Sequence, residues 1–400
     1  MKRVVVISYW YYPENVARAF HVKGIVSSLI KDGYHVDLVL PKNAMYQEIG
    51  NKNLDNITLH QVKPGILLHK EKNRWDVNRN ILNSSHSNLL TRGFKKLYDV
   101  LIWPDRTIEW AINAYRYVKK NKLHSNGIAM VTVGLPVSTH ITGHLLKKDA
   151  PHLKWIADYG DPFSYNPDRE IRKYDRFLES RILNNVDSIV IPTESAIDCY
   201  TSLGVNKSQI HVIPQLFEEA QGESNYEVDK DKFNIMYAGS FYKGIRSPVE
   251  FIHGLILASE KNPKIQFHYF GNTNALEEFL RLEGLDINML PITVNTFKDR
   301  NEIISIMKRM DLLINLNNKS TSQIPSKIID YLYADKRILN VGSTLTELFD
   351  NVDNRKRKIA DKLIEISVSP SGFDYSELKR FYSYNVNSNR YNNLVQTENS

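Results

Sequence analysis

The sequence predicts an α/β protein built from two doubly wound domains that face a cleft. Three observations lead there. Short apolar runs alternate with segments whose apolar residues recur at helical spacing, which is how a parallel sheet wrapped by helices reads in a chain. The alternation pauses at 214–232, where Glu218, Glu219, Glu223, Glu227 and Asp229 crowd out apolar residues, and then begins again. Finally, 400 residues with 42% hydrophobic content can fill two cores. The domains are therefore expected at 1–214 and 233–380, with 215–232 as an exposed linker.

The run 3–8 is a continuous apolar strand. After a loop, Val22, Ile25, Val26, Leu29 and Ile30 fall on one helical face, and Lys31-Asp32-Gly33 supplies a basic last turn and a glycine cap. The run 34–40 is a second strand, which completes a βαβ unit. From 64 to 103 the alternation lapses. It resumes with helices at 107–122, 139–148, 169–183 and 194–203 and strands at 128–133, 153–157, 188–191 and 210–213. Beyond the linker, strands are expected at 233–238, 265–270, 287–290, 312–316 and 337–341. Helices are expected at 248–259, 274–282, 299–310 and 325–334, with a last one within 375–394.

Composition excludes several classes. No stretch reaches the roughly 20 apolar residues that span a bilayer, and the N-terminal apolar run is too short for a signal-peptide core, so a cytoplasmic protein is expected. One cysteine, Cys199, excludes an internal disulfide and any multi-cysteine zinc site. A formal charge of +7 and a pI near 9.1 point to anionic company. There is no long basic run, zinc-finger spacing or RNA-recognition signature, so nucleic acid is not expected. The stretch 66–103 mixes basic with bulky apolar residues, among them Arg92, Lys95, Lys96 and Trp103, which suits an anionic membrane surface. Packing of a surface excursion on its own domain is the other reading of that mix. Asp229-Lys-Asp231 sits in the acidic linker, so no metal is expected there, and without Gly-x-Gly-x-x-Gly or Walker-type spacing no cofactor is expected either.

Chemistry concentrates in two places in the second half. Pro325 opens a helix directly after the strand 312–316, and helix starts at the carboxyl ends of such strands seat phosphates. Ser326, Lys327 and Asp330 lie in its first turn, where a hydroxyl, an ammonium and a carboxylate could hold a nucleoside diphosphate; a plain amphipathic helix over a sheet is the alternative. After the strand 233–238, Gly239 and Ser240 let backbone approach a phosphate, and Lys243 and Arg246 could clamp it or simply be solvated.

Four segments in order, Leu135-Pro-Val-Ser-Thr-His-Ile-Thr-Gly143, Trp155-Ile-Ala-Asp-Tyr-Gly-Asp-Pro-Phe163, Tyr237-Ala-Gly-Ser-Phe-Tyr-Lys-Gly-Ile-Arg246 and Pro325-Ser-Lys-Ile-Ile-Asp-Tyr331, resemble the GT4-type glycosyltransferases of the GT-B fold. The resemblance spans nearly the whole chain. It implies two Rossmann-like domains and a last helix, about 381–395, crossing back onto the first. It also implies metal-independent, retaining transfer from a UDP- or GDP-sugar to a glycan or lipid-linked acceptor in surface polysaccharide synthesis. The second domain would bind the nucleotide and the first the acceptor; the basic and apolar stretch 66–103 adds the expectation of a peripheral place at the inner face of the plasma membrane. Asp330 matches the second acid of the family's paired-acid motif, which binds ribose. The first acid would fall at Ser322, or at Gln323 with a one-residue slip, so Ser322, Gln323 or backbone would hold the sugar.

In the first domain, Asp158 and Asp161 follow a strand. Asp161 could orient the acceptor hydroxyl, and Asp158 could contact acceptor or form a local turn. His140, near a helix start, could touch donor sugar or acceptor, or be an ordinary helix-face histidine. Tyr11, Tyr12, Glu14 and Asn15 stand where the family has a glycine-rich loop, and suit acceptor recognition or packing equally. In retaining members the departing phosphate is thought to deprotonate the acceptor, so no dedicated base is required. Two other functions fit the same pattern: a non-catalytic GT-B-shaped binding subunit, favoured by the missing first acid, and a nucleotide-sugar epimerase.

Overall fold

The computed structural model describes residues 1–46, 56–65, 103–166, 171–172, 174–220, 222–241, 246–317, 326–369 and 372–396. The basic and apolar stretch 66–102 and the candidates Lys243, Ser322 and Gln323 lie outside the described residues. The chain divides into two compact units, Met1–Phe217 with Tyr384–Ser400, and Glu218–Ser383.

The first unit carries β1 (Arg3–Ile7), β2 (His35–Pro41), β3 (Ile57–Val62), β4 (Gly127–Val133), β5 (Lys154–Asp158), β6 (Ser188–Ile191) and β7 (Ile210–Val212). They pair in parallel in the order β3-β2-β1-β4-β5-β6-β7. Alternate side chains enter opposite faces. Val5 and Ile7 meet Trp110, Ala111 and Ala114 of α2 (Ile108–Lys120), while Val4 and Val6 meet Val22, Ile25 and Leu29 of α1 (Ala17–Lys31). A strand buried on both faces must be apolar throughout, which is why Val4-Val5-Val6-Ile7 shows no alternation. α3 (Ser138–Asp149) and α4 (Asp175–Leu183) complete the α2 side.

The second unit carries β8 (Phe233–Ala238), β9 (Ile265–Phe270), β10 (Ile292–Asn295), β11 (Leu312–Leu316), β12 (Arg337–Val341) and β13 (Asp350–Val352), parallel in the order β10-β9-β8-β11-β12-β13. On one face Ile235, Phe267 and Ile314 pack with Phe251 and Leu255 of α5 (Val249–Lys261), Leu276 of α6 (Thr273–Leu282) and, across β12, Ile359 and Leu363 of α9 (Lys356–Val368). On the other, Met236 and Leu313 pack with Ile304 and Met307 of α7 (Arg300–Met307), Ile328 and Leu332 of α8 (Lys327–Ala334), and Tyr375, just before α10 (Ser376–Phe381).

α11 (Tyr384–Gln396) belongs to the first unit and lies on α1. Ser28 Oγ donates to Asn392 Oδ1 at 2.9 Å, Asn392 Nδ2 returns a bond to the Ser28 carbonyl at 3.2 Å, and Tyr384 Oη donates to the Gly24 carbonyl at 3.0 Å. Gly24 also lets 214–217 close in, since a Cβ there would sit 2.0 Å from the Leu216 carbonyl oxygen.

Several expectations change. Residues 215–232 are not uniformly exposed. Leu216 and Phe217 are buried in the first unit, whereas Tyr226 and Val228 pack on the second unit's core and Tyr226 Oη bonds His268 Nδ1 at 2.8 Å. A few apolar side chains among the acids suffice to pin an extended segment. The strand expected at 287–290 is a single turn, held by Asp286 accepting from the Asn288 N–H, and β10 follows Pro291 instead. The tail breaks at 382–383 into α10 and α11, and β3, β13 and α9 have no counterpart in the sequence reading.

A helix-interior Gly→Ala change ordinarily stabilises by about 1 kcal/mol. Gly24→Ala should instead destabilise, by ~1–3 kcal/mol in urea unfolding, because the opposing atom is backbone. Ser27→Ala in the same helix should stay within about 0.5 kcal/mol of the parent.

Candidate active site

Parallel strands put all their carboxyl ends on one edge, and a crevice opens there between two strands whose following connections leave in opposite directions. In the second sheet that switch falls between β8 and β11. Their pairing covers only Ile235–Leu312 and Met236–Leu313, after which Tyr331 Oη donates to the Ile314 carbonyl at 2.8 Å. The loop after β8 and the start of α8, which follows β11, therefore meet at this crevice.

Tyr237, fully buried at the end of β8, organises it. Its ring is held in a stack with Phe241 and Tyr269, Phe241 lying 4.9 Å from Tyr237 and 5.0 Å from Tyr269. The Tyr237 hydroxyl donates to the Ser240 carbonyl and accepts from Arg246 Nη1, both at 3.3 Å. Gly239 turns the chain at φ +146°, a region other residues rarely enter, while its N–H donates to the Phe270 carbonyl at 2.8 Å. Lys327 Nζ lies 4.1 Å from the centre of the Tyr237 ring and 5.8 Å from that of Tyr331. That nitrogen is buried and has no hydrogen-bond partner among the described residues. Burial, reinforced by the nearby Arg246 charge, drives its pKa well below the ordinary lysine value.

Ser326 precedes α8 and makes no capping bond with its side chain. Asp330, expected to accept ribose hydroxyls, has Oδ1 already committed to Arg300 Nε at 2.8 Å, and Arg300 Nη1 donates to the Glu218 carbonyl at 2.8 Å. Burial raises the Asp330 carboxyl to about 6 against the pull of Arg300.

The first sheet switches between β1 and β4. Arg18, in the first turn of α1, reaches across that edge: Nε donates to the Gly134 carbonyl at 3.2 Å, and Nη2 to Asp158 Oδ1 at 2.7 Å. His21 Nε2 lies 2.9 Å from Asp158 Oδ2, and its Nδ1 accepts from the Leu216 N–H at 2.8 Å. That last bond requires an unprotonated Nδ1, so His21 is neutral and donates to the carboxylate. Burial keeps it so. For Asp158, burial alone would raise the pKa, but His21 and Arg18 hold it down at about 2.

Asp158 is thus 1% exposed with its carboxylate enclosed by its own chain, which corrects its expected place as an acceptor contact. Tyr11 and Glu14 are corrected likewise. Both are buried, with the Tyr11 N–H donating to Tyr46 Oη at 3.1 Å and Tyr46 Oη donating to Glu14 Oε1. Tyr12 remains 42% exposed beneath Lys23 Nζ, 5.0 Å from its ring centre, and Asn15 is exposed. Asp161 is half-buried just beyond β5. His140 is fully buried, with its ring stacked 4.1 Å from Tyr159, and burial lowers its pKa to about 3. Among the described residues no group of three or more His, Cys, Asp or Glu could hold a metal, and no helix is long and apolar enough to cross a membrane.

No protein-family model and no curated protein sequence matches the chain. Its structure is similar to that of HepE from Anabaena in complex with UDP and glucose, at a TM-score of 0.62 and 10% identity over 98% of this chain and 99% of that one. It is also similar to a glycosyltransferase from Rickettsia africae (TM-score 0.61, 12% identity, 99% and 98% covered). A third similar structure is the UDP-GlcNAc 2-epimerase from Methanocaldococcus jannaschii (TM-score 0.56, 12% identity, 99% and 100% covered). The fold is GT-B. At such identities the likeness is one of fold alone. Within this GT-B chain, sequence reasoning missed Arg18, His21, Tyr46 and Arg300. Arg18 and His21 carried a signal, since two polar residues three apart on the apolar face of α1 must be satisfied internally.

Asp158→Asn leaves the buried Arg18 guanidinium without its counter-charge and should cost about 3–5 kcal/mol at pH 7. Because the folded pKa lies below the ordinary value of 3.8, that stability is complete above 3.8 and is lost as the pH falls toward 2. Urea titrations of parent and variant should converge progressively on acidification below pH 4.

Proposed function

We propose that this protein is a glycosyltransferase that moves a sugar from a nucleoside diphosphate sugar, UDP- or GDP-linked, to a glycan or lipid-linked acceptor. The observation that carries the proposal is Lys327, a buried amine without a hydrogen-bond partner among the described residues, set at a helix start beside Arg246 and the Gly239–Ser240 turn. A diphosphate supplies what that group lacks, and helix-terminal N–H groups add to the pull. The similarity to HepE, crystallised with UDP and glucose, supports the choice of ligand.

In the reaction, the bond from the sugar's anomeric carbon to phosphate breaks and a bond to the acceptor oxygen forms on the same face. Negative charge grows on the departing phosphate, where Lys327, Arg246 and Lys243 neutralise it. The acceptor proton passes to that phosphate, so neither metal nor protein base is required. Asp161 takes the acceptor side, Asp330 keeps its second oxygen for ribose, and Ser322 or Gln323 holds the sugar. Residues 66–103 would bring the enzyme to an anionic membrane at the inner face of the plasma membrane, where lipid-linked acceptors reside. An epimerase is the second reading, favoured by UDP-GlcNAc 2-epimerases among the similar structures; it would interconvert a UDP-sugar with no acceptor present.

Lys327→Met replaces a buried unpaired amine with an apolar side chain of similar length. It should leave the melting temperature unchanged or raised. Calorimetry should show UDP or GDP affinity falling at least tenfold, about 1.4 kcal/mol. Equal affinity in parent and variant, or no binding of UDP, GDP or ADP by the parent, would contradict the proposal.

A further inference from the structure

Three fully buried side chains form a hydrogen-bond chain that ends at His140. Trp155 Nε1 donates to Thr132 Oγ1 at 2.8 Å, and an indole nitrogen can only donate. Thr132 Oγ1 in turn lies 2.8 Å from His140 Nδ1. The indole is also closed in by Gly143, one turn beyond His140 on α3, where a Cβ would sit 2.5 Å from the ring.

The direction of the second bond follows from counting protons. Were Nδ1 protonated, the Thr132 hydroxyl proton and the Nε2 lone pair would both be buried without partners. With Thr132 donating to Nδ1, only the Nε2–H is left over. Nε2 indeed has no hydrogen-bond partner among the described residues, and it faces Gly134, where a Cβ would lie 2.7 Å away. The groups packed around the ring are Tyr159, stacked on it, and the Arg18–Asp158 pair, whose charges oppose each other; burial keeps the imidazole unprotonated.

We propose that Thr132, held by Trp155, is a positioning residue that fixes the buried His140 as a neutral Nε2–H tautomer, so that the imidazole takes no proton from a substrate. The bearing on catalysis rests on the function proposed above; the tautomer and its cause do not.

The test is nitrogen and carbon NMR of histidine-labelled protein without ligand, with His140 assigned by its loss in His140→Gln. Between pH 5.5 and 8.5 its ring signals should stay constant and show a protonated Nε2 with a lone pair on Nδ1. Thr132→Val should shift them toward the Nδ1–H form, and Thr132→Ser should restore the parent pattern. A His140 that titrates in this range, a parent in the Nδ1–H form, or a Thr132→Val protein with the parent pattern would overturn the proposal. Should Thr132→Val not fold, the parent spectrum and the Thr132→Ser spectrum decide. Because no substrate is added, failure here is distinct from failure of the glycosyltransferase assignment.

Discussion

A lysine nitrogen set over an aromatic ring with no hydrogen-bond partner among the described residues is costly to keep in a folded protein, and the second unit is arranged to keep it. Tyr237 cannot turn away from Lys327, because Phe241 and Tyr269 hold its ring in a stack and its hydroxyl spans Ser240 and Arg246. Ile328, Ile329 and Leu332 bury the inner face of α8 and so seat the Lys327 backbone beside that ring. Strain of this kind persists where surrounding packing over-determines it.

The first unit treats the same problem oppositely. At its own switch point the buried charge of Arg18 is paired with Asp158, with His21 as a neutral donor. That cluster joins α1 to the ends of β4 and β5. α1 also receives 214–217 at Gly24 and His21, and α11 at Gly24 and Ser28, so one helix gathers the connections made at both ends of the second unit's sequence. One carboxyl edge thus pairs its buried charges internally, while the other holds the Lys327 nitrogen without a hydrogen-bond partner among the described residues.

Much of this was legible in the sequence. Strands buried on both faces announce themselves as unbroken apolar runs, and the restart after 232 marked a second sheet. What escaped was whatever depends on a partner distant in sequence. Asp158 reads as a rim carboxylate until Arg18, 140 residues earlier, is seen to hold it. Glu14 reads as a binding residue until Tyr46 closes on it, and Asp330 reads as wholly available until Arg300 takes one oxygen. Short elements such as β13, three residues long, lack the length for a periodic signal.

The most direct measurement is a donor screen. The protein is incubated with a panel of UDP-, GDP-, ADP- and CMP-sugars, and nucleotide release is followed by mass spectrometry with and without a mixed glycan and lipid-linked acceptor fraction. A site built from Lys327, Arg246 and the α8 start predicts that a nucleoside diphosphate sugar is consumed and its diphosphate released, faster when acceptor is present. Consumption of only the monophosphate-linked CMP-sugar, or of no sugar nucleotide at all, would contradict it.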